Sequence, residues 1–144
     1  HNFPKKLDDS DRLQDAIKQY YKQQYWDRFG GNFIACQSIA EELFDAAVNM
    51  GVHRAVTFLQ QGLNILNRNQ KLYPDLVEDG LMGPKTLSTL TVYLNTDDAA
   101  TLLQLMIILR GNHYIGYMRQ NPEQEKFARG WLNRLNFKIR DNSR

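Results

Sequence analysis

The segment at residues 78–86, E-D-G-L-M-G-P-K-T, constrains the fold of this chain more than any other. Glycine readily adopts positive φ angles, and proline, with φ held at about −65°, suits the first turn of a helix. Asp79-Gly80 followed by Gly83-Pro84 therefore predicts a tight turn and then a helix start. We expect an ordered corner here rather than a loose loop.

Elsewhere, apolar residues recur at spacings of three and four, the period of a helix that is buried on one face. Glycines, prolines and capping signals divide these stretches. Ser38 with Glu41 is interpreted as a capping box, and Thr96 as the cap of a later helix. Six helices are predicted, at residues 10–28, 38–51, 52–67, 84–94, 97–120 and 122–135.

The predicted fold class is all-α. Because the helices differ in length and their breaks are rich in glycine and proline, an irregular orthogonal packing of about six helices is favoured over an up-and-down bundle. The pattern leaves room for one very short β-hairpin near Val77 and Leu81. With 144 residues and 42% hydrophobic content, the chain is long enough to pack as one globule.

Composition argues against several classes of protein. The 18 basic and 16 acidic residues give a net charge of +2 and are scattered, so no nucleic-acid partner is expected. No run approaches the roughly 20 apolar residues that span a bilayer, so no stable membrane insertion is expected. Cys36 is the single cysteine, and His53 and His113 lack partners at metal-ligand spacing. Neither a metal nor a cofactor is predicted.

Five segments together carry a family resemblance. They are F-D-A-A-V-N-M-G at 44–51, A-V-T-F-L-Q at 55–60, D-G-L-M-G-P-K-T at 79–86, R-G-N-H-Y at 110–114 and G-W-L-N-R at 130–134. In order and spacing they resemble glycoside hydrolase family 108, and Y-Y-K-Q-Q-Y-W at 20–26 fits too. The resemblance covers nearly the whole chain.

The resemblance implies a lysozyme-like N-acetylmuramidase that cleaves peptidoglycan, of a kind often carried by phages and prophages. Residues 1–51 would be the remaining part of the catalytic region, and residues 52–144 a peptidoglycan-binding region packed against it. A bacterial or phage origin follows, with the protein cytoplasmic until it is released to the periplasm or cell wall.

One part of the family pattern is missing. The family's catalytic glutamate lies in an E-G-G-Y type motif near the N-terminus, and nothing like it stands before Tyr20. The acid glutamate is therefore expected upstream of this chain, which alone would be inactive. The alternative is a divergent relative that binds peptidoglycan without cutting it.

Cleavage of a glycosidic bond needs a carboxylic acid that protonates the leaving oxygen, and usually a second carboxylate. Glu41 and Glu42 are weak candidates, because they lie in the first turn of a predicted helix, where the helix dipole favours their negative charge. Asp45 stands mid-helix, one turn before Asn49, so these two are the supporting candidates for the reacting region. The structural alternative is a solvated helix face or an ion pair, for instance with Arg134.

Aromatic rings are numerous for a chain of this size. Sugar sites stack ring faces on apolar pyranose surfaces, but most rings here are expected in the core, Trp131 in particular, whereas Tyr25 or Trp26 would border a groove. The substrate-binding candidates are Tyr25, Trp26, Phe44, Asp79 and Trp131.

The predicted function is peptidoglycan hydrolysis by general-acid catalysis, with peptidoglycan glycan strands as the binding partner. One alternative is a non-catalytic wall-binding module that uses the corner at 79–86. Another is a helical adaptor without sugar affinity. The sequence does not indicate the oligomeric state.

Overall fold

A computed structural model describes residues 12–135, and no strand lies within that range. The all-α prediction is confirmed. The six α-helices of this part of the chain are α1 (Arg12–Tyr21), α2 (Gln37–Met50), α3 (Val52–Ile65), α4 (Pro84–Thr96), α5 (Ala99–Gln120) and α6 (Ala128–Arg134).

Helix α1 continues directly into irregular helical turns. Lys22–Trp26 form a π-helical turn and Asp27–Phe29 a 3₁₀ turn. Gly30 then ends the segment with φ 73°, a left-handed conformation that glycine adopts without strain. A further 3₁₀ turn at Gly31–Phe33 leads towards α2. The glycine pair thus stops the first helical region, as predicted.

The main core takes side chains from α2, α3, α4 and α5 and from the turns that follow α1. Fully buried members include Trp26, Phe29, Leu43, Leu59 and Tyr93. A smaller cluster joins α5 to the C-terminal part, with Tyr114, Met118 and Leu135 buried and Met50 and Trp131 packed against them. Helix α5 therefore contributes to both clusters.

A buried ion pair ties α5 to α2. Arg110 is 0% exposed and Glu42 7%. The Nη2 group of Arg110 donates to Glu42 Oε1 at 2.9 Å and to the main-chain carbonyl of Arg134 at 3.3 Å. Arg110 Nε also lies 2.9 Å from Glu42 Oε2, but its N–H does not have hydrogen-bond geometry, so this second contact is ionic only. The pair holds α2, α5 and the end of α6 together.

The β-hairpin expected near Val77 and Leu81 is wrong, because side chains of α3 take the hydrogen bonds that a strand partner would have made. Asn64 Oδ1 accepts from the Leu76 N–H at 2.7 Å, and its Nδ2 donates to the Leu76 carbonyl at 2.9 Å. Gln60 Nε2 donates to the Leu81 carbonyl at 3.2 Å. Pairing of side chain with backbone leaves no signal in a hydrophobic pattern. The segment is a loop fastened to α3.

The predicted corner is present, and buried Gln60 organises it. Gln60 Oε1 accepts from the Gly80 N–H at 2.9 Å, while its Nε2 donates to Asp79 Oδ1 and Thr86 Oγ1, each at 3.1 Å. Gly80 has φ 72°, and a Cβ built there would lie 2.5 Å from Cδ2 of His53. The local structure thus explains Asp79, Gly80 and Thr86 of the D-G-x-x-G-P-x-T spelling.

Two predicted helix caps are wrong. Helix α2 begins before Ser38, with Cys36 at the cap position and no side-chain hydrogen bond there, so the capping box with Glu41 does not form. Asp98, not Thr96, caps α5, since its carboxylate accepts from a main-chain N–H two residues on at 3.0 Å. Cap positions shift by a residue or two because several polar side chains compete for them.

Replacing Gly80 with alanine is expected to lower the free energy of unfolding by about 1–2 kcal/mol, because an L-residue is strained at this positive φ. Gly83→Ala is the matched control. Gly83 belongs to the same corner, but its φ is −106° and nothing lies within 4 Å of the site of a Cβ. Urea unfolding followed by circular dichroism compares the two variants. Equal losses would show that the left-handed conformation of Gly80 is not what the corner requires.

Candidate functional site

Two open hollows adjoin along α3 and α5. The first has a volume of about 420 Å³ and the second about 280 Å³. Arg54 and His113 line both hollows, so the two lie side by side at these residues. We call the combined depression the α3–α5 groove. Its volume is of the size that small-ligand sites have, which makes it the natural candidate for a binding site.

One face of α3 forms a wall of the first hollow. Residues at spacings of four, three and four lie on one side of a helix, and the α3 members of this hollow have that spacing: Arg54, Phe58, Gln61 and Ile65. Helix α5 supplies the rest of the helical lining with Leu109, Asn112 and His113, and the loop before the corner adds Glu78. The first hollow therefore combines apolar walls with amides and two opposite charges.

The second hollow is aromatic. It is lined by Asn49 and Met50 at the end of α2, by Tyr114 and Tyr117 of α5, and by Trp131 of α6. The Trp131 ring stacks on Tyr114 with centroids 5.3 Å apart and an interplanar angle of 15°, and it lies 5.8 Å from the Tyr117 ring. Aromatic faces beside an amide are the surfaces on which sugar rings bind.

The charges of the groove are sparse. Burial, and then the positive charge of Arg54, lower the pKa of His113 below its usual value, so this imidazole is neutral at pH 7. Arg54 makes no ion pair within residues 12–135. Glu78 accepts a hydrogen bond from Asn64 Nδ2 at 3.0 Å but contacts no cation among the same residues. The first hollow thus holds one positive and one negative side chain that do not form an ion pair with each other.

Tyr114 has an unusual hydroxyl. The residue is 5% exposed, and its hydroxyl oxygen has no hydrogen-bond partner in the described part of the chain. A buried polar group without a partner costs about 1–3 kcal/mol. Tyr114 lines the second hollow, but its hydroxyl oxygen is itself buried, so the hydroxyl is closed to a ligand in this arrangement.

Two of the predicted site residues meet in the groove. Asn49 and Trp131 both line the second hollow, and Trp131 is half-buried rather than fully buried, contrary to the expectation for it. Asp45 does not line this hollow. The Asn49 amide donates to the main-chain carbonyl of Asp45 at 2.8 Å, a bond along the helix rather than one to the carboxylate. Their supporting role in catalysis stays a prediction.

Three predicted sugar-binding residues lie elsewhere. Trp26 is 0% exposed, donates from Nε1 to Asn32 Oδ1 at 2.9 Å, and packs on Phe44 with ring centroids 6.0 Å apart. A sugar cannot stack on it in this arrangement, so its placement in a groove is wrong. Tyr25 is half-buried and stacks on Tyr21, with centroids 5.8 Å apart. Neither Tyr25 nor Phe44 lines the α3–α5 groove.

The predicted candidate Asp79 serves the corner. Its carboxylate accepts from the Leu81 N–H at 3.0 Å and from Gln60. The Leu81 N–H, followed by the Gln60 amide, lowers the pKa of Asp79 below its usual value. The side chain is exposed and lies outside both hollows. The structure therefore gives Asp79 a role in shaping the loop, and its contact with substrate stays a prediction.

Several lining residues escaped prediction from the sequence, among them Arg54, Gln61, Asn112 and His113. The periodic spacing of Arg54, Phe58 and Gln61 was available, but it predicts only that these residues share a helix face. Which second helix that face meets depends on packing between residues far apart in the chain. The pairing of α3 with α5 supplies that information.

The described residues contain no group of three or more histidine, cysteine, aspartate or glutamate side chains arranged to hold a metal ion. In the same part of the chain, no helix combines the length and apolar character needed to cross a membrane.

Comparison with known proteins agrees with the resemblance in the sequence. Residues 54–136 match the family described as "Predicted Peptidoglycan domain", and residues 3–51 match "Glycosyl hydrolase 108". The groove draws on both parts, since Asn49 and Met50 lie within residues 3–51 and the other lining residues lie within residues 54–136. The division of the chain at residue 51 into two regions stays a prediction.

The structure of Brucella abortus SagA is similar to this one, with a TM-score of 0.64 and 20% sequence identity over 85% of this chain. At that identity the likeness concerns the fold. This chain spans 59% of the SagA chain. Among curated proteins, none matches it. Because the first family match covers more than half of the sequence, the chain belongs to the predicted peptidoglycan domain family, and a segment on the N-terminal side of that match is similar to glycosyl hydrolase 108.

Proposed function

We propose that this chain binds peptidoglycan in the α3–α5 groove as part of a lysozyme-like N-acetylmuramidase of phage or prophage type, which cleaves the glycan by general-acid catalysis. The observation that carries the proposal is the groove itself. Its walls come from the segment that matches the peptidoglycan domain family, and its aromatic end is completed by residues of the segment that matches glycosyl hydrolase 108.

The aromatic hollow supplies the contacts that a pyranose needs. Tyr117 and Trp131 offer aromatic rings for the apolar side of the sugar, and the Asn49 side chain lies in the same hollow. Amide side chains at Gln61 and Asn112 line the neighbouring hollow. The groove can therefore take a segment of peptidoglycan, with a sugar in the aromatic hollow.

Proton donation is not assigned to either glutamate of α2. Glu42 is buried in its ion pair with Arg110, and Glu41 accepts a hydrogen bond from Gln37 Nε2 at 3.0 Å. A general acid must keep its proton near neutral pH, which a buried arginine partner opposes. These contacts favour a second candidate function for the 144-residue chain by itself, namely a module that binds peptidoglycan without cutting it. In the proposed enzyme, the acid is the glutamate of the family's E-G-G-Y type motif.

Replacing Trp131 with alanine is expected to reduce the affinity for insoluble peptidoglycan about tenfold, because the largest ring face of the aromatic hollow is lost. Co-sedimentation with purified peptidoglycan measures the affinity. The matched control is Tyr20→Ala, since Tyr20 is an exposed ring outside the groove. Loss of binding in both variants, or in neither, would contradict the assignment of the groove.

Release of reducing sugars from the same peptidoglycan then separates the two functions. A hydrolase releases them on incubation, whereas a pure binding module sediments with the wall and releases none. Absence of both sedimentation and sugar release would leave the helical adaptor as the function.

A further inference from the structure

The first hollow differs from the aromatic one in what it offers to a ligand. Arg54 carries a full positive charge and Glu78 a full negative charge, and both line the same hollow. Within residues 12–135 neither has an ionic partner, because the only polar contact of Glu78 is the neutral amide of Asn64. Side chains of opposite charge that share a hollow usually pair with each other. Here both stay available to a ligand.

Other polar groups of this hollow are neutral. His113 is uncharged at pH 7, and the remaining polar side chains are the amides of Gln61 and Asn112. Amide side chains both donate and accept hydrogen bonds, as peptide groups require. The walls between them are apolar, from Phe58, Ile65 and Leu109. The hollow therefore matches a short peptide that carries both a carboxylate and an amine.

We infer that the first hollow binds the peptide stem of peptidoglycan, with Arg54 holding a stem carboxylate and Glu78 holding the free amine of a diamino acid, while the aromatic hollow holds the adjoining sugar. The inference rests on the proposed function and narrows it. The ligand is a glycan that carries a charged peptide, not a bare glycan strand. Because Arg54 and His113 line both hollows, the two lie close enough together for one ligand to contact both.

The charges of Arg54 and Glu78 are opposite to those of a stem carboxylate and a free stem amine. The guanidinium group of Arg54 can form two parallel hydrogen bonds with a carboxylate, a geometry that lysine cannot reproduce. A carboxylate such as that of Glu78 accepts charge-assisted hydrogen bonds from an ammonium group. Since both side chains are exposed when the groove is empty, the pairs are partly screened by water, and each is expected to contribute modestly. Together, the two ion pairs would make the groove selective for a glycan that carries a charged peptide.

Three peptidoglycan samples test the inference by co-sedimentation with the 144-residue chain. The first is intact, the second has its free amines acetylated, and the third has its peptide stems removed by an amidase. We expect the affinity for intact peptidoglycan to exceed that for the stem-free glycan about tenfold, the effect of one or two charge-assisted hydrogen bonds. Acetylation of the amines should weaken binding by the unmodified chain.

Variants assign the two charges. Glu78→Gln should bind intact peptidoglycan less tightly and stem-free glycan unchanged, because Glu78 lines only the first hollow. Arg54→Gln should lose more affinity for intact peptidoglycan than for stem-free glycan, with Arg54→Lys intermediate. Acetylation should make no further difference to Glu78→Gln. Matched controls are Arg119→Gln and Glu123→Gln, which change exposed charges outside the groove. Circular dichroism checks that each variant is folded.

Each result decides one question. If stem-free glycan binds as tightly as intact peptidoglycan, or if Arg54→Gln and Glu78→Gln bind like the controls, the inference is overturned while peptidoglycan binding stands. If the unmodified chain sediments with none of the samples, the proposed function falls together with the inference. Reduced binding in the two control variants as well would show a nonspecific charge effect and would also overturn the inference.

Discussion

Replacing Arg110 with methionine is expected to lower the free energy of unfolding by about 3–5 kcal/mol, because it breaks a buried ion pair while the carboxylate of Glu42 stays in the interior. The arginine contributes more than a charge. Its Nη2 group also donates to the main-chain carbonyl of Arg134 at 3.3 Å, so the end of α6 loses a contact as well. Urea unfolding followed by far-ultraviolet circular dichroism measures the loss.

The chain offers a matched control in Arg68→Met. Arg68 pairs with Asp97 at 2.9 Å, the same distance as the buried pair, but its side chain is 56% exposed. An exposed pair contributes about 0–1 kcal/mol, so this variant should unfold almost like the unmodified chain. The double variant Arg110→Met with Glu42→Leu should recover much of the lost stability, since neither charge is then stranded. Similar losses in Arg110→Met and Arg68→Met would contradict the role of burial.

Sequence periodicity predicted the helices well because helix formation follows local rules. Gly30 and Pro84 mark the end of the first helical region and the start of α4 as their backbone preferences require. The hairpin near Val77 and Leu81 failed for the opposite reason. Its backbone groups bond to side chains of α3, and nothing in the alternation of apolar residues reports such a partner.

The buried ion pair is another contact that a local sequence pattern does not reveal. Arg110 and Glu42 are 68 residues apart in the chain, so no local pattern joins them. Glu42 was considered as a candidate acid because it is a glutamate in a helix that resembles the family. Its place beside Arg110 in the interior gives it a structural role instead. Residue type suggested the chemistry, but burial and partner decide which glutamate can perform it.

The candidate site was predictable only in part. Asn49 and Trp131 were chosen from the sequence and do line one hollow. Arg54 and His113 were not chosen, because each looks like an ordinary surface or lone residue until α3 and α5 are packed together. A groove between helices is a property of their pairing. The residues that line it become recognisable once that pairing is known.

The second prediction with a large expected effect compares the two tryptophans. Replacing Trp26 with alanine is expected to lower the free energy of unfolding by about 3–5 kcal/mol, because it opens a cavity in the main core and removes the hydrogen bond from Nε1–H to Asn32. Gly31 has no room for a side chain beside this indole, since a Cβ there would lie 2.3 Å from Trp26 Cε2. The surroundings are shaped to the ring and cannot easily collapse into its place.

Trp131→Ala is the matched comparison, because the same side chain is removed from a half-buried position at the groove. Chemical unfolding and peptidoglycan co-sedimentation, measured on both variants, should give opposite patterns. Trp26→Ala should lose stability yet bind about as well as the unmodified chain under conditions where it remains folded. Trp131→Ala should lose binding with a smaller loss of stability. A folded Trp26→Ala protein that fails to bind peptidoglycan would contradict this separation between the core ring and the groove.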